Sequence, residues 1–167
     1  MQIEIISNSS IFTKNLGKKL SRVISKGDIV LFSGELGGGK TTFISGIAEG
    51  FGLKENLSSP SFTILNEYSI DNRRKFIHAD LYRLENTGEI NGIGLDDYLY
   101  DDISIVCIEW GDKIKDYIKK EYLEINLSYL IDKSNIPTKR KIIFNSSSQY
   151  WDLRLARFKK ILEKSGE

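Results

Sequence analysis

The residues best suited to chemistry lie in "SGELGGGKTTF", residues 33–43. The stretch fits G-x-x-x-x-G-K-[ST] in full: Gly34, then Glu35, Leu36, Gly37 and Gly38, then Gly39, Lys40 and Thr41. Each residue type has a reason. Glycines let the backbone curl until several N–H groups point into one concavity. A helix that starts behind the loop adds roughly half a positive charge at its N-terminus. Lys40 can reach the β- and γ-phosphates of a nucleotide, and the Thr41 hydroxyl can bind Mg²⁺. The bland alternative is a glycine-rich turn that binds nothing. The apolar residues 29–32 before the loop and the helical pattern after it weigh against that alternative.

A loop that holds phosphates needs a further carboxylate for the metal. Two candidates stand at the ends of expected strands. Glu109 follows the apolar run 104–108, where a Walker-B acid belongs, and Asp80 follows Phe76, Ile77, His78 and Ala79. Ligands of open α/β sheets gather at the carboxyl ends of strands, so both could face a nucleotide. Glu109 could instead be a solvated strand-end charge, and Asp80 a turn cap or a partner for Arg83. His78, the only histidine, reads better as a packed or hydrogen-bonded side chain than as a catalytic one. No N-K-x-D or D-x-x-G pattern occurs in the chain, so ATP is favoured over GTP. A small-molecule kinase is the second reading. Arg73, Arg74 and Arg83 could serve its lid, but no lid-like segment is evident.

The elements that must position these groups follow from periodicity. Residues 1–6 alternate as a strand, and Ser9 or Ser10 caps a helix expected to reach about residue 25. Residues 28–33 form a buried strand, and the helix after the glycine loop ends near Gly50 or Gly52. Residues 58–61 read as a loop. Strands are expected at 62–68 and 75–80, around a turn at Asp71 and Asn72. Residues 85–94 are helical but broken by glycines. The run 104–109 suits the centre of a covered sheet. Strands at 122–131 and 141–144 precede an amphipathic helix over 148–164. The sum is an α/β fold, a mostly parallel sheet with helices on both faces, in a single three-layer domain spanning 1–167.

Composition narrows the classes. The 167 residues carry 24 basic and 23 acidic side chains, a formal charge of +1. That balance gives no reason to expect a bulk nucleic-acid binder, although a local basic face stays open. Cys107 sits inside an apolar run and reads as a core residue rather than a nucleophile. A lone cysteine fits a reducing, cytoplasmic setting. No apolar run approaches the ~20 residues that span a bilayer, and no signal-peptide pattern opens the chain, so no membrane is expected.

Five strings in this order, "GELGGGKTTF", "SSPSFTILNEY", "HADLYRL", "GLDDYL" and "CIEWGDKI", resemble the bacterial TsaE family, formerly YjeE. The resemblance covers roughly residues 11–113. The family usually shows S-P-T where this chain has Ser59, Pro60 and Ser61, and serine keeps the hydroxyl. Gly38 stands where the family often has alanine.

The resemblance implies a P-loop NTPase-like protein that binds ATP and Mg²⁺ and hydrolyses ATP slowly alone. It implies action with TsaB and TsaD in forming N6-threonylcarbamoyladenosine beside the anticodon of tRNA, with tRNA reached through that complex. Carried over by position, residues 37–42 hold the phosphates together with Gly34, and Thr41 and Glu109 hold Mg²⁺. Lys40, Asp80 and Glu109 are the catalytic candidates, with Asp80 orienting the attacking water. Ser61 and Thr63 fall in a nucleotide-responsive loop, and Ser10 borders the adenine. Trp110 could pack at the site, at a partner surface or as an anchor. On the last helix Trp151, Leu155, Phe158 and Leu162 should dock on the domain. Arg154, Arg157, Lys159, Lys160 and Lys164 crowd its other side, either as a solvated face or as a docking surface.

Overall fold

The computed structural model describes residues 1–53, 57, 59–60, 64–85, 87–131, 137–146 and 148–165. Its centre is built from two apolar runs that have no solvent side. In β2 (Ile29–Gly34) only the last residue escapes full burial, and in β5 (Ser104–Glu109) every residue is buried. Such strands are stable only where both faces of a sheet are covered. β2 pairs in parallel with β5 and with β6 (Tyr122–Ile131), and β4 (Arg74–Asp80) pairs in parallel with β5. β3 (Leu65–Asp71), β7 (Pro137–Ser146) and β1 (Gln2–Ser7) add antiparallel edges, giving the order β1-β7-β6-β2-β5-β4-β3. Five of these seven strands run in one direction.

The period of two then sorts the strands between layers. Val30 and Phe32 of β2 join Cys107 and Phe144 beneath α1 (Ser10–Leu20), α2 (Lys40–Gly50) and α4 (Gln149–Glu163). Ile29 and Leu31 face the other way, under Leu84, Ile90, Leu95, Leu99 and Ile114. That second layer is made of short pieces: 3₁₀ turns at Thr87–Ile93 and Gly111–Ile114, and the four-residue α3 (Asp96–Leu99). Helices cover both faces, as expected, but the three long ones share one face. Among the described residues no helix is long and apolar enough to cross a membrane.

Several boundaries differ from the sequence expectation. α1 stops at Leu20, because the Ser21 hydroxyl bonds back to the Lys18 carbonyl and Asp28 takes the Ser25 N–H at 2.7 Å. β3 begins at Leu65, after Ile64 at φ 67, and runs on to Asp71. β7 is longer than residues 141–144, since pairing with β6 and β1 bonds its backbone whatever its side chains. Cys107 is fully buried, and burial pushes its thiol well above the ordinary value, so it is inert core.

One polar device fixes α4 to this frame. Asp28, 3% exposed, accepts from the Tyr150 hydroxyl at 2.6 Å and pairs with Arg154, which also donates to the Val23 carbonyl at 2.7 Å. Burial pushes the Asp28 carboxyl above its usual value, against the pull of Tyr150, the Ser25 N–H and Arg154. Burial and the Asp28 bond push the Tyr150 phenol up to about 12. Removing one partner leaves the other buried and uncompensated. Arg154→Ala should therefore destabilise the protein by about 3 kcal/mol at neutral pH, measured by urea unfolding. In that variant the folded Asp28 pKa rises further above its unfolded value. Its penalty is absent below the unfolded pKa and complete above the folded one, so the deficit should shrink on acidification.

Candidate functional site

The site grows from the end of β2. Gly34, at φ 117, lies so close to β6 that a Cβ there would stand 1.9 Å from the Leu127 carbonyl oxygen. The loop turns back at Gly38, whose N–H bonds the Glu35 carbonyl at 3.0 Å. Gly39 then caps α2 from the left-handed region at φ 103, with no side chain bonded to the first turn. The first N–H groups of α2 are thus left without a side-chain cap at the mouth of the loop, where the helix dipole is positive.

Lys40, on the first turn of α2, is 4% exposed. Its Nζ donates to the Gly34 and Glu35 carbonyls, both at 2.9 Å, and stands 4.1 Å from the centroid of the Trp110 ring. Burial lowers its pKa, while the charges of Glu109 and Asp80 oppose that shift. One residue on, the Thr41 hydroxyl donates to Glu109 Oε1 at 2.7 Å. The same oxygen lies 2.9 Å from His78 Nε2. A carboxylate only accepts, so the His78 proton sits on Nε2. His78 Nδ1 has no hydrogen-bond partner among the described residues. Sheet register makes this possible: Asp80 lies opposite Glu109, and Glu109 lies opposite Phe32 of β2.

Asp80 ends β4 beside them. Its Oδ1 accepts from the Tyr82 N–H at 3.0 Å and its Oδ2 from the Ser59 hydroxyl. The turn-cap reading therefore holds, and Asp80 also lines the same cleft. That cleft has a volume of about 370 Å³ and is lined by Leu36, Gly37, Gly39, Lys40, Thr41, Thr42, Ser59, Asp80, Tyr82, Arg83, Glu109 and Trp110. Trp110, at φ 59, forms its wall and packs on Tyr82, ring centroids 5.2 Å apart.

Of the residues singled out in the sequence, Gly37, Gly39, Lys40, Thr41, Thr42, Asp80 and Glu109 meet in this cleft. Gly34 and Gly38 shape the loop without lining it. Ser10 is exposed on the first turn of α1, outside the lining. Ser61 and Thr63 lie outside the described residues. Sequence reasoning named Ser59 only within the S-P-S string and gave it no place in the site. It also missed Tyr129 and Arg140, which back the loop from β6 and β7. A Cβ on Gly37 would lie 2.8 Å from the Tyr129 hydroxyl, and one on Gly39 would lie 3.3 Å from Arg140 Nε. No local pattern marks either residue.

Residues 7–142 match the family model described as "Threonylcarbamoyl adenosine biosynthesis protein TsaE". The Bacillus subtilis protein named "tRNA threonylcarbamoyladenosine biosynthesis protein TsaE" is 37% identical over 113 residues, 68% of this chain and 69% of its own. The protein of the same name from Haemophilus influenzae is 35% identical over 125 residues, 72% and 78% of the two chains. The crystal structure of Bacillus subtilis YdiB superposes with a TM-score of 0.78 at 27% identity, covering 96% of this chain and 95% of that one. A glycine loop opening α2, a carboxylate ending the neighbouring strand and a match over residues 7–142 lead to one conclusion: the chain belongs to the TsaE family.

Proposed function

We propose that this protein is a Mg²⁺-dependent ATPase of the cytoplasm that serves the formation of N6-threonylcarbamoyladenosine in tRNA, acting with TsaB and TsaD. The observation that carries the reading is the bond from Thr41 on α2 to Glu109 on β5, at the mouth of a complete phosphate loop. The family supports the tRNA-modification role, since its relatives carry that process in their names.

Thr41 Oγ1 and Glu109 Oε1 place two hard oxygen donors side by side at a helix N-terminus. That donor set suits Mg²⁺, which takes one or two protein oxygens and fills its shell with phosphate and water. The chemistry a bound Mg²⁺ supplies is neutralisation of charge on the phosphate oxygens. The residues of the chain do the rest. The N–H groups of residues 37–42 bind the phosphates. Lys40 spends two of its three N–H donors on the loop's own carbonyls and keeps one for a phosphate oxygen. Tyr82 and Ser59 hold the two oxygens of Asp80, which orients the attacking water. His78 is a positioning residue: it holds Glu109 from behind, and such supports tune a metal's first ligands.

Lys40→Ala should keep the fold and lose roughly a hundredfold in ATP affinity by calorimetry, about 2–3 kcal/mol for a charge-assisted contact. Unchanged binding would remove the central claim.

Glu109→Ala should raise the Mg²⁺ concentration needed for binding. Asp80→Asn should bind ATP with Mg²⁺ nearly normally yet hydrolyse it at least roughly a hundredfold more slowly in single turnovers. Loss of the same quantity in both variants would refute the division of roles.

His78→Leu should weaken Mg²⁺ dependence about tenfold in the same titration, and His78→Gln, which keeps a donor near the Nε2 position, should restore part of it. Equal behaviour of the two substitutions would make His78 a packing residue only.

A further inference from the structure

The sheet divides the molecule electrically. Residues 10–26 and 148–165, which supply α1, α4 and the turn after α1, carry ten basic side chains and two acidic ones. Residues 81–121, which supply the layer on the other face, carry five basic and ten acidic ones. On the α1–α4 side some of the charge is already answered. Lys18 and Lys14 hold the Glu49 carboxyl down to about 2, Arg154 is spent on Asp28, and Asp152 is taken by the N-terminal amine at 2.7 Å. Arg22, Arg157, Lys160 and Lys164 are exposed and carry no ion pair among the described residues. Elsewhere several half-buried bases are answered, Arg74 by Asp71, Lys75 by Glu67 and Lys141 by Glu4, while the exposed Arg73 and Lys119 stand apart from one another on other elements.

Arg157, Lys160 and Lys164 recur three and four residues apart, so they share one stripe of α4, about 10 Å long. Like charges at that spacing destabilise a helix. The bond from Arg154 to the Val23 carbonyl holds the turn after α1, which carries Arg22, against α4. The charges are therefore mounted on a rigid surface rather than on a tail.

We propose that this α1–α4 face is a docking surface for the phosphate backbone of RNA. The proposal goes beyond the ATPase reading, and α4 lies past residue 142, where the family match ends. Interfaces with nucleic acid are far more basic than those with protein, whose centres favour aromatic anchors and are depleted in lysine. A bilayer surface would require an exposed apolar stripe beside the basic one. Here the apolar period of α4 is buried in the core through Trp151, Leu155, Phe158 and Leu162, and only scattered apolar side chains, Leu153 on α4 and Ile11 on α1, stay exposed on this face, which is not a stripe.

The test is fluorescence anisotropy of a labelled RNA stem–loop titrated with the full chain across a salt series, from about 50 to 200 mM. Binding should weaken linearly on a log–log plot. The triple variant Arg157→Ala, Lys160→Ala, Lys164→Ala should bind roughly a hundredfold more weakly near 0.1 M salt, with a slope shallower by about 2 to 3. Alanine suits an exposed helix, and circular dichroism checks the fold. A control variant on the other face, Lys75→Ala with Lys115→Ala, should leave the slope unchanged. Affinity for a fluorescent ATP analogue, read in the same samples, reports on the cleft separately: its failure would sink the ATPase reading and leave this proposal standing. The proposal is overturned if the wild-type chain does not bind the RNA, if the triple variant keeps the full slope, or if the control variant loses as much. It is overturned equally if phosphatidylserine vesicles bind the wild type while the RNA does not.

Discussion

One carboxylate oxygen holds the working parts together. Glu109 Oε1 accepts from Thr41 at the start of α2 and lies within hydrogen-bond reach of His78 in the middle of β4. A buried carboxylate without partners would be expensive, and two donors on one oxygen offset much of that cost. The consequence is geometric. β4, β5 and α2 come from distant parts of the chain, and the glycine loop, the hydroxyl and the carboxylate stay in register only while this junction is made.

The junction depends in turn on the sheet. Parallel pairing sets β4, β5 and β2 with their carboxyl ends on one edge, and the register places Asp80 beside Glu109. A slip of one residue in β5 would turn Glu109 to the opposite face and bring Ile108 toward the loop. Apolar burial guards against that slip, since Val106 and Ile108 belong to one core and Cys107 to the other.

The cleft also shows how a buried cation is kept. Lys40 loses hydration, which lowers its pKa, yet two carbonyls, the Trp110 ring and the charges of Glu109 and Asp80 favour the ammonium form. Trp110 pays for its place with a left-handed backbone, a conformation costly for a bulky residue and found mostly where the surroundings impose it. Gly111 follows because a Cβ there would stand 2.7 Å from Leu31 Cβ. The strand end and the cleft wall are thus one packed unit.

The sequence by itself determined what depends on neighbouring residues. The loop from Gly34 to Thr41 was legible because its work is done by backbone conformation, and conformation follows from glycine and helix-start patterns. The buried strands β2 and β5 were legible as unbroken apolar runs, with Glu109 at the end of one. α4 was legible from Ser148 and its apolar period. The tertiary structure alone decided what depends on register and on which face an element covers. His78 and Glu109 stand 31 residues apart in the chain, and Thr41 and Glu109 stand 68 apart. Only sheet pairing makes either a contact. Tyr129 and Arg140 reach the loop because β6 adjoins β2, and nothing in their own surroundings in the sequence says so. The gathering of three long helices on one face, which brings Arg22 beside Arg157, Lys160 and Lys164, likewise follows from how the chain crosses the sheet. Local patterns fix what each residue can do, and non-local pairing fixes which residues do it together.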